Sequence, residues 1–168
     1  MTSNATRVTR EYARTSDDER PLRGYAGTLA AYGVAATVTA GIARLTGRAL
    51  PERLSFGDVA LLGVATHKLS RLLAKDAVTS PLRAPFTRFE DPAGAAELNE
   101  SPRGHGARHA IGELVTCPFC LAVWVASGLA AGLVLTPRAT RLVMATATAV
   151  AASDFLQLAY DGGKKLAT

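Results

Sequence analysis

The sequence predicts an all-α fold, an integral membrane helical bundle of four spans with an irregular, proline-rich cytoplasmic segment between spans two and three. Two observations carry this prediction. The stretches 24–43 and 114–137 contain 20 and 24 residues without any charged residue or histidine, and about 20 apolar residues cross the hydrocarbon core of a bilayer. All 19 Lys and Arg residues therefore lie outside these stretches, where they flank the apolar segments.

Composition narrows the classes of function. The chain has 168 residues, enough for one small bundle, and a formal net charge of +5. Nucleic-acid-binding proteins cluster their basic residues on one face, often beside aromatic residues. Because the basic residues here flank apolar stretches, they indicate membrane orientation, and no nucleic-acid partner is expected.

The amino-terminal part contains a tail and the first span. Residues 1–23 mix five arginines with four acids, which predicts a polar, mobile tail. Residues 24–43 form the first predicted span. Small residues recur there at every fourth position, so that another helix, or a second copy of the chain in a homo-oligomer, can approach closely: Gly27, Ala31, Ala35 and Thr39.

The second predicted span covers residues 54–73, where apolar residues recur at spacings of three and four. Four polar residues interrupt it: Asp58, His67, Lys68 and Arg71. Two interpretations therefore stay open, a span or an amphipathic helix that lies on the membrane surface.

A proline-rich segment follows at residues 76–113. Its 38 residues are long for a loop without structure of its own, so a small lobe or a functional loop is expected. Residues 79–90 alternate basic and apolar groups, which suits a segment at the level of the lipid headgroups. Four prolines exclude one long helix: Pro81, Pro85, Pro92 and Pro102.

The third and fourth predicted spans cover residues 118–136 and 142–160. Pro118 suits the first turn of a helix, where its missing N–H is not needed. The fourth span contains a single acid, Asp154, and a basic carboxyl tail follows it at residues 161–168.

The basic residues also predict the orientation. With four spans, 14 of the 19 Lys and Arg residues fall on the side of both termini and residues 68–113, which include the end of the second span. Basic loops are retained in the cytoplasm, so both termini are predicted to be cytoplasmic in a multi-pass protein of the bacterial cell membrane. Membrane lipids, anionic lipids among them, are the expected partners.

Four motifs carry a resemblance to a known family. They lie at residues 63–73, 79–90, 102–104 and 113–124, and the last contains Cys-Pro-Phe-Cys followed by a tryptophan. Over about residues 55–160 the chain resembles DUF1360, a bacterial family of unknown function. The resemblance implies a small membrane protein and indicates no activity. It does not extend to His105 or His109.

Cys117 and Cys120 have the CxxC spacing, and three uses stay open. Two thiols one helical turn apart can form a redox pair, although no βαβ pattern accompanies this one. Zinc needs four Cys or His ligands, and His105 and His109 precede the pair at a spacing that allows a Cys2His2 site. The third use is simple packing at the end of a span. Zinc is the one cofactor that the sequence offers.

His67 and Asp154 are predicted to form an intramembrane polar pair. His67 lies 13 residues after Leu54 and Asp154 lies 12 residues after Leu142, in spans that both run inward, so their depths match. An acid within a span needs a partner, which His67 or Lys68 can supply. The pair is interpreted as a structural clamp, with an ion or proton path as the alternative.

Three classes of function are compatible with these residues. The first is a small membrane scaffold or interaction protein whose cytoplasmic segment binds lipid or a partner. The second is a thiol- or zinc-dependent membrane protein centred on Cys117 and Cys120, and the third is a small transporter or ion-path element that uses Asp154. We expect the first, and we assign no catalytic residue.

Overall fold

Long helices account for most of the chain, as the apolar stretches predict. A computed structural model describes residues 21–94 and 96–167, so almost all of the predicted polar tail lies outside the described residues. A 3-10 turn at Ala77–Thr79 precedes the third helix. In chain order the helices are α1 (Leu22–Leu45), α2 (Phe56–Lys75), the short α3 (Ser80–Arg83), α4 (Ala107–Thr116), α5 (Pro118–Leu135) and α6 (Pro137–Ala167).

Local chemistry explains where several helices begin. Oγ of Ser55 accepts a hydrogen bond from the backbone N–H of Asp58 at 3.0 Å, which caps the start of α2. Pro118 and Pro137 occupy the first positions of α5 and α6, where a missing N–H is tolerated. α6 continues past Tyr160 as far as Ala167, because no proline interrupts it.

Three helices in the described part of the chain are long and apolar enough to cross a membrane: Leu22–Leu45, Pro118–Leu135 and Pro137–Leu166. They coincide with the first, third and fourth predicted spans. α2 is not among them, because four polar side chains lower its hydropathy. The structure therefore indicates membrane association through three helices. That α2 also spans the membrane stays a prediction.

The described residues form two compact units. The lobe unit contains the chain up to Ala35 together with Lys75–Cys117, and the bundle unit contains Ala36–Ala74 together with the chain from Pro118 onward. Each unit has its own interior.

Small and apolar side chains of α2, α5 and α6 hold the bundle unit together. α5 and α6 are joined by Thr136 alone and pack closely, since a Cβ on Gly132 would lie 2.5 Å from Oγ1 of Thr140. Gly128 and Gly132 form a GxxxG motif in α5. Its second glycine therefore packs against a helix of the same chain. The buried core consists of Ala65, Leu133, Met144 and Ala147.

The lobe unit contains a β-hairpin, which corrects the prediction of an all-α fold with an irregular segment at residues 76–113. Strands β1 (Thr87–Gly94) and β2 (Glu97–Pro102) pair antiparallel. The prolines exclude a long helix as predicted, but they do not exclude short strands. Pro92 lies beside a register shift in β1 and Pro102 ends β2, both positions at which sheets tolerate proline.

Candidate functional site

An ion pair joins α2 to α6 within the bundle unit. Nζ of Lys68 donates a hydrogen bond to Oδ2 of Asp154 at 2.7 Å, and the two side chains are 17% and 46% exposed. Of the two partners that the sequence offered, His67 was assigned to the pair, and the structure corrects this to Lys68. The His67 ring is exposed instead, because adjacent side chains on a helix point about 100° apart.

A second ion pair lies where the same two helices begin. Arg141 donates two hydrogen bonds to Asp58, from Nε to Oδ1 at 2.8 Å and from Nη2 to Oδ2 at 3.1 Å. Along α2 the second pair precedes Lys68 by ten residues, and along α6 it precedes Asp154 by 13. α2 and α6 therefore run side by side in the same direction, with the two pairs about 15–20 Å apart.

Two hydroxyl groups on these helices are buried without a hydrogen-bond partner. They belong to Thr66 of α2 and Thr148 of α6. Within the described residues of the bundle unit, no other side-chain polar atom is buried in this way. Buried hydroxyls ordinarily bond to protein or to ordered water, so these two have unused hydrogen-bonding capacity within the bundle.

The interior of the lobe unit contains an arginine. Arg83 is only 1% exposed. Its Nε donates to Oε2 of Glu100, its Nη1 to Oγ1 of Thr79 at 2.7 Å, and its Nη2 to the carbonyl oxygen of Asp76 at 3.1 Å. These bonds tie β2 to the 3-10 turn and to the residue that follows α2. Nothing in the sequence indicates this ion pair, because its two members lie 17 residues apart on different elements.

The start of α1 packs against α4 in the same unit. The Tyr25 hydroxyl donates to Oε2 of Glu113 at 2.5 Å. A Cβ on Gly24 would lie 2.7 Å from Cβ of Ala110, so only glycine permits this approach. The first turn of α1 is thereby attached to the helix that leads into Cys117.

The four residues predicted as a zinc site do not form a gathered ligand set. Neither Cys117 nor Cys120 is disulfide-bonded, and His105 is exposed in the turn before α4. His109 lies 3.7 Å from a carboxylate oxygen of Glu113. Among the residues that the structure describes, no group of three or more His, Cys, Asp or Glu side chains is arranged to hold a metal ion. The zinc site stays a prediction.

Comparison with known proteins gives one family match. The sequence model described as Protein of unknown function (DUF1360) matches residues 61–160. This region contains the β-hairpin, the Arg83–Glu100 pair and the Lys68–Asp154 pair, and it leaves α1 outside. No solved structure gives a significant match.

Two curated bacterial proteins are similar in sequence. Sporulation protein YjcA of Bacillus subtilis (strain 168) is 38% identical over 74 residues, which are 42% of this chain and 63% of YjcA. UPF0713 protein YngL of the same organism is 27% identical over 118 residues, which are 68% of this chain and 87% of YngL. The chain thus spans less than two thirds of YjcA, and the sporulation in that name describes YjcA.

Proposed function

This chain belongs to the DUF1360 family of proteins of unknown function, and from that premise we propose that it is a small scaffold of the bacterial cell membrane. Its helices anchor it in the bilayer. The lobe, residues 76–116 between α2 and α5, offers a rigid surface to lipid or to a protein partner at the cytoplasmic face.

The two ion pairs between α2 and α6 support a fourth span. α2 is too polar to qualify as a span alone, but Asp58 and Lys68 hold it parallel to α6, which is apolar enough to cross. A helix fixed along a span shares its depth in the bilayer. A charge within a span is costly unless it is paired, and Asp154 supplies the partner that Lys68 needs there.

The proposed orientation rests on contacts between the helices and the lobe and on the distribution of basic residues. The hydrogen bond from Tyr25 to Glu113 attaches the beginning of α1 to the lobe, and α2 leads directly into the lobe. Because α6 is parallel to α2, the carboxyl terminus belongs on that side as well. This side would carry 13 of the 19 basic residues, since Lys68 pairs with Asp154 within the span, and the positive-inside rule then makes it cytoplasmic.

A single observation carries the scaffold proposal, namely that the lobe has an ion pair sealed in its interior. The side chains of Arg83 and Glu100 are 2% and 5% exposed. A connection between two spans requires no such interior, whereas a satisfied buried polar network rigidifies the structure around it. A rigid lobe is what a recognition surface requires, because binding then costs little conformational entropy.

Cross-linking in native membranes tests the proposal. The tagged full-length chain is cross-linked in cells, purified, and its partners are identified by mass spectrometry. Arg83→Ala should loosen the lobe and lose the partners of the wild type. Arg88→Ala changes an exposed arginine of β1 and should retain them. If Arg83→Ala retains every partner although trypsin now cleaves the lobe, the lobe is not the binding surface.

An ion path is the second candidate, and the unpartnered hydroxyls of Thr66 and Thr148 favour it. Buried polar groups of this kind could hold water inside the bundle. Proton flux into liposomes that contain the purified chain tests this function. Asp154→Asn should abolish the flux, and Asp161→Asn, which changes an exposed acid further along α6, should preserve it. Flux no faster than in empty liposomes would exclude the path.

A further inference from the structure

Residues 77–85 connect α2 to β1 and contain the 3-10 turn and α3. The polar side of this segment faces the interior of the lobe, and its apolar side faces outward. We call this segment the elbow. Thr79 and Arg83 lie four positions apart and bond to each other in the interior. The opposite side is exposed and has the spacing of a helix face, i, i+3, i+4 and i+7: Val78, Pro81, Leu82 and Pro85.

This arrangement is the reverse of a helix that faces water. Helices on the surface of soluble proteins bury their apolar stripe and expose their polar one. In the elbow, Val78 is 82% exposed and Leu82 is 67% exposed, while Arg83, the residue after Leu82, is buried. A contiguous apolar face of this kind indicates an interaction site.

The apolar face is fixed in its outward position. The backbone of the elbow is hydrogen-bonded from the N–H of Thr79 to the carbonyl of Asp76 at 3.3 Å, and from the N–H of Ala84 to the carbonyl of Ser80 at 2.8 Å. Turning the face inward would also break the bonds of the Arg83 guanidinium to Glu100 and Thr79. The chain therefore presents Val78 and Leu82 permanently.

We propose that the elbow lies in the headgroup–acyl boundary of the membrane, with Val78 and Leu82 inserted among the lipid chains. Continuity of the chain identifies this occupant, because only Asp76 separates α2 from the elbow. An amphipathic segment at that position buries its apolar face about 5–10 Å into the boundary. Two basic residues near the end of α2, Arg71 and Lys75, suit the anionic headgroups there.

This inference rests on the proposed function as a membrane scaffold. It assigns the elbow to contact with lipid, and the β-hairpin then remains as the surface for a protein partner. It also revises the role of residues 79–90. The sequence indicates only that this segment lies at the headgroup level. Because Arg83 points into the lobe, we assign the contacts with lipid to the apolar residues Val78 and Leu82.

Photo-cross-linking in native membranes tests the inference. The photoreactive residue p-benzoyl-phenylalanine is introduced into the full-length chain at position 78, 82 or 89, irradiated, and the purified chain is weighed. Phe89 is 59% exposed on β1 of the same unit and is the matched control. We expect the added mass of one phospholipid at positions 78 and 82, at a yield at least fivefold higher than at position 89.

Equal phospholipid yields at the three positions would overturn the inference. Adducts to protein at 78 and 82, whether to a second copy or to another chain, would overturn it as well. Each variant is first checked for wild-type resistance of the lobe to trypsin, and the two test positions are read independently. A chain that keeps its cross-linked protein partners but gives no lipid adducts would refute this inference and leave the scaffold function standing.

Discussion

Nζ of Lys68 and Oδ2 of Asp154 lie 2.7 Å apart, between two helices that run in the same direction. In water such a pair contributes little to stability. In a bilayer, an unpaired Lys68 or Asp154 would raise the free energy of its helix, and pairing the two charges reduces that cost. The pair therefore explains how α2, with its interrupting polar residues, can lie beside an apolar span.

Substitutions of Asp154 should distinguish charge pairing from simple packing. Asp154→Leu leaves Lys68 unpaired and should lower the free energy of unfolding by about 3 kcal/mol, the cost of a lone charge in a span. Asp154→Asn keeps a hydrogen-bond acceptor and should be milder. The double change to Leu at both positions should recover part of the loss. Thermal unfolding in detergent measures these differences.

The matched control for this series is His67→Leu, because His67 neighbours Lys68 and its ring is exposed. It should change the unfolding temperature little, alone or combined with Asp154→Leu. A recovery of stability by His67→Leu instead of Lys68→Leu would show that the pairing in solution is the one the sequence first suggested.

Breaking the buried pair in the lobe should be severe. Arg83→Leu leaves Glu100 buried without its partner, which costs about 3–5 kcal/mol. The double variant Arg83→Leu with Glu100→Leu should be less damaging than the single one, because no uncompensated charge remains. Trypsin cleavage after Arg103 measures the opening of the lobe, and Arg88→Ala, which leaves that cleavage site in place, serves as the exposed control. Unchanged cleavage in Arg83→Leu would contradict the buried position of this side chain.

The sequence predicted the long helices well and the lobe poorly, for different physical reasons. A span is local, since about 20 consecutive apolar residues define it, and this holds for α1, α5 and α6. The β-hairpin depends on pairing between separate segments, and the Arg83–Glu100 pair joins residues 17 positions apart. Spacing alone carries no information on such contacts.

The Lys68–Asp154 pair is an intermediate case. The sequence narrowed the partner of Asp154 to two adjacent residues, because depth depends only on the position along a helix. The choice between His67 and Lys68 depends on the rotation of α2 about its axis. That rotation is fixed by packing of Ala65 in the core with Met144 and Ala147, which a single sequence does not reveal.

Two glycines should respond in opposite ways to alanine. A Cβ on Gly112 would lie 2.6 Å from the carbonyl oxygen of Phe86 and 3.0 Å from Cα of Pro102. Because these backbone atoms cannot shift without straining the chain, Gly112→Ala should destabilise the lobe by about 1–3 kcal/mol. Gly128 has nothing within 4 Å, so Gly128→Ala should be neutral or slightly stabilising. Destabilisation by Gly128→Ala would indicate another helix against it, for example that of a second copy.

Thiol alkylation separates the uses of the CxxC motif. Cys120 is exposed and Cys117 is half-buried, so a membrane-permeable maleimide should modify Cys120 first. We expect the rate to be the same with and without a metal chelator, since the described residues gather no ligand set. A severalfold increase in the rate after chelation, together with about one zinc per chain, would establish the zinc site instead. Cys117→Ser should then abolish the bound zinc, and His105→Ala would test whether histidine belongs to it.

Reporter fusions decide the topology on which the scaffold proposal depends. Fusions at residues 20, 95 and 165 should give cytoplasmic signals, and fusions at 48 and 139 should give signals from the outer side. The physical reason is that 13 of the 19 basic residues lie in or next to the first set of segments, which the cell retains inside. The fusion at 48 is the most informative. A cytoplasmic signal at both 48 and 95 would mean that α2 does not cross, and its ion pairs with α6 would then have to form outside the hydrocarbon. Removing one basic residue supplies the control, because Arg138→Gln should strengthen the outer signal at 139 while it leaves the Asp58–Arg141 pair intact.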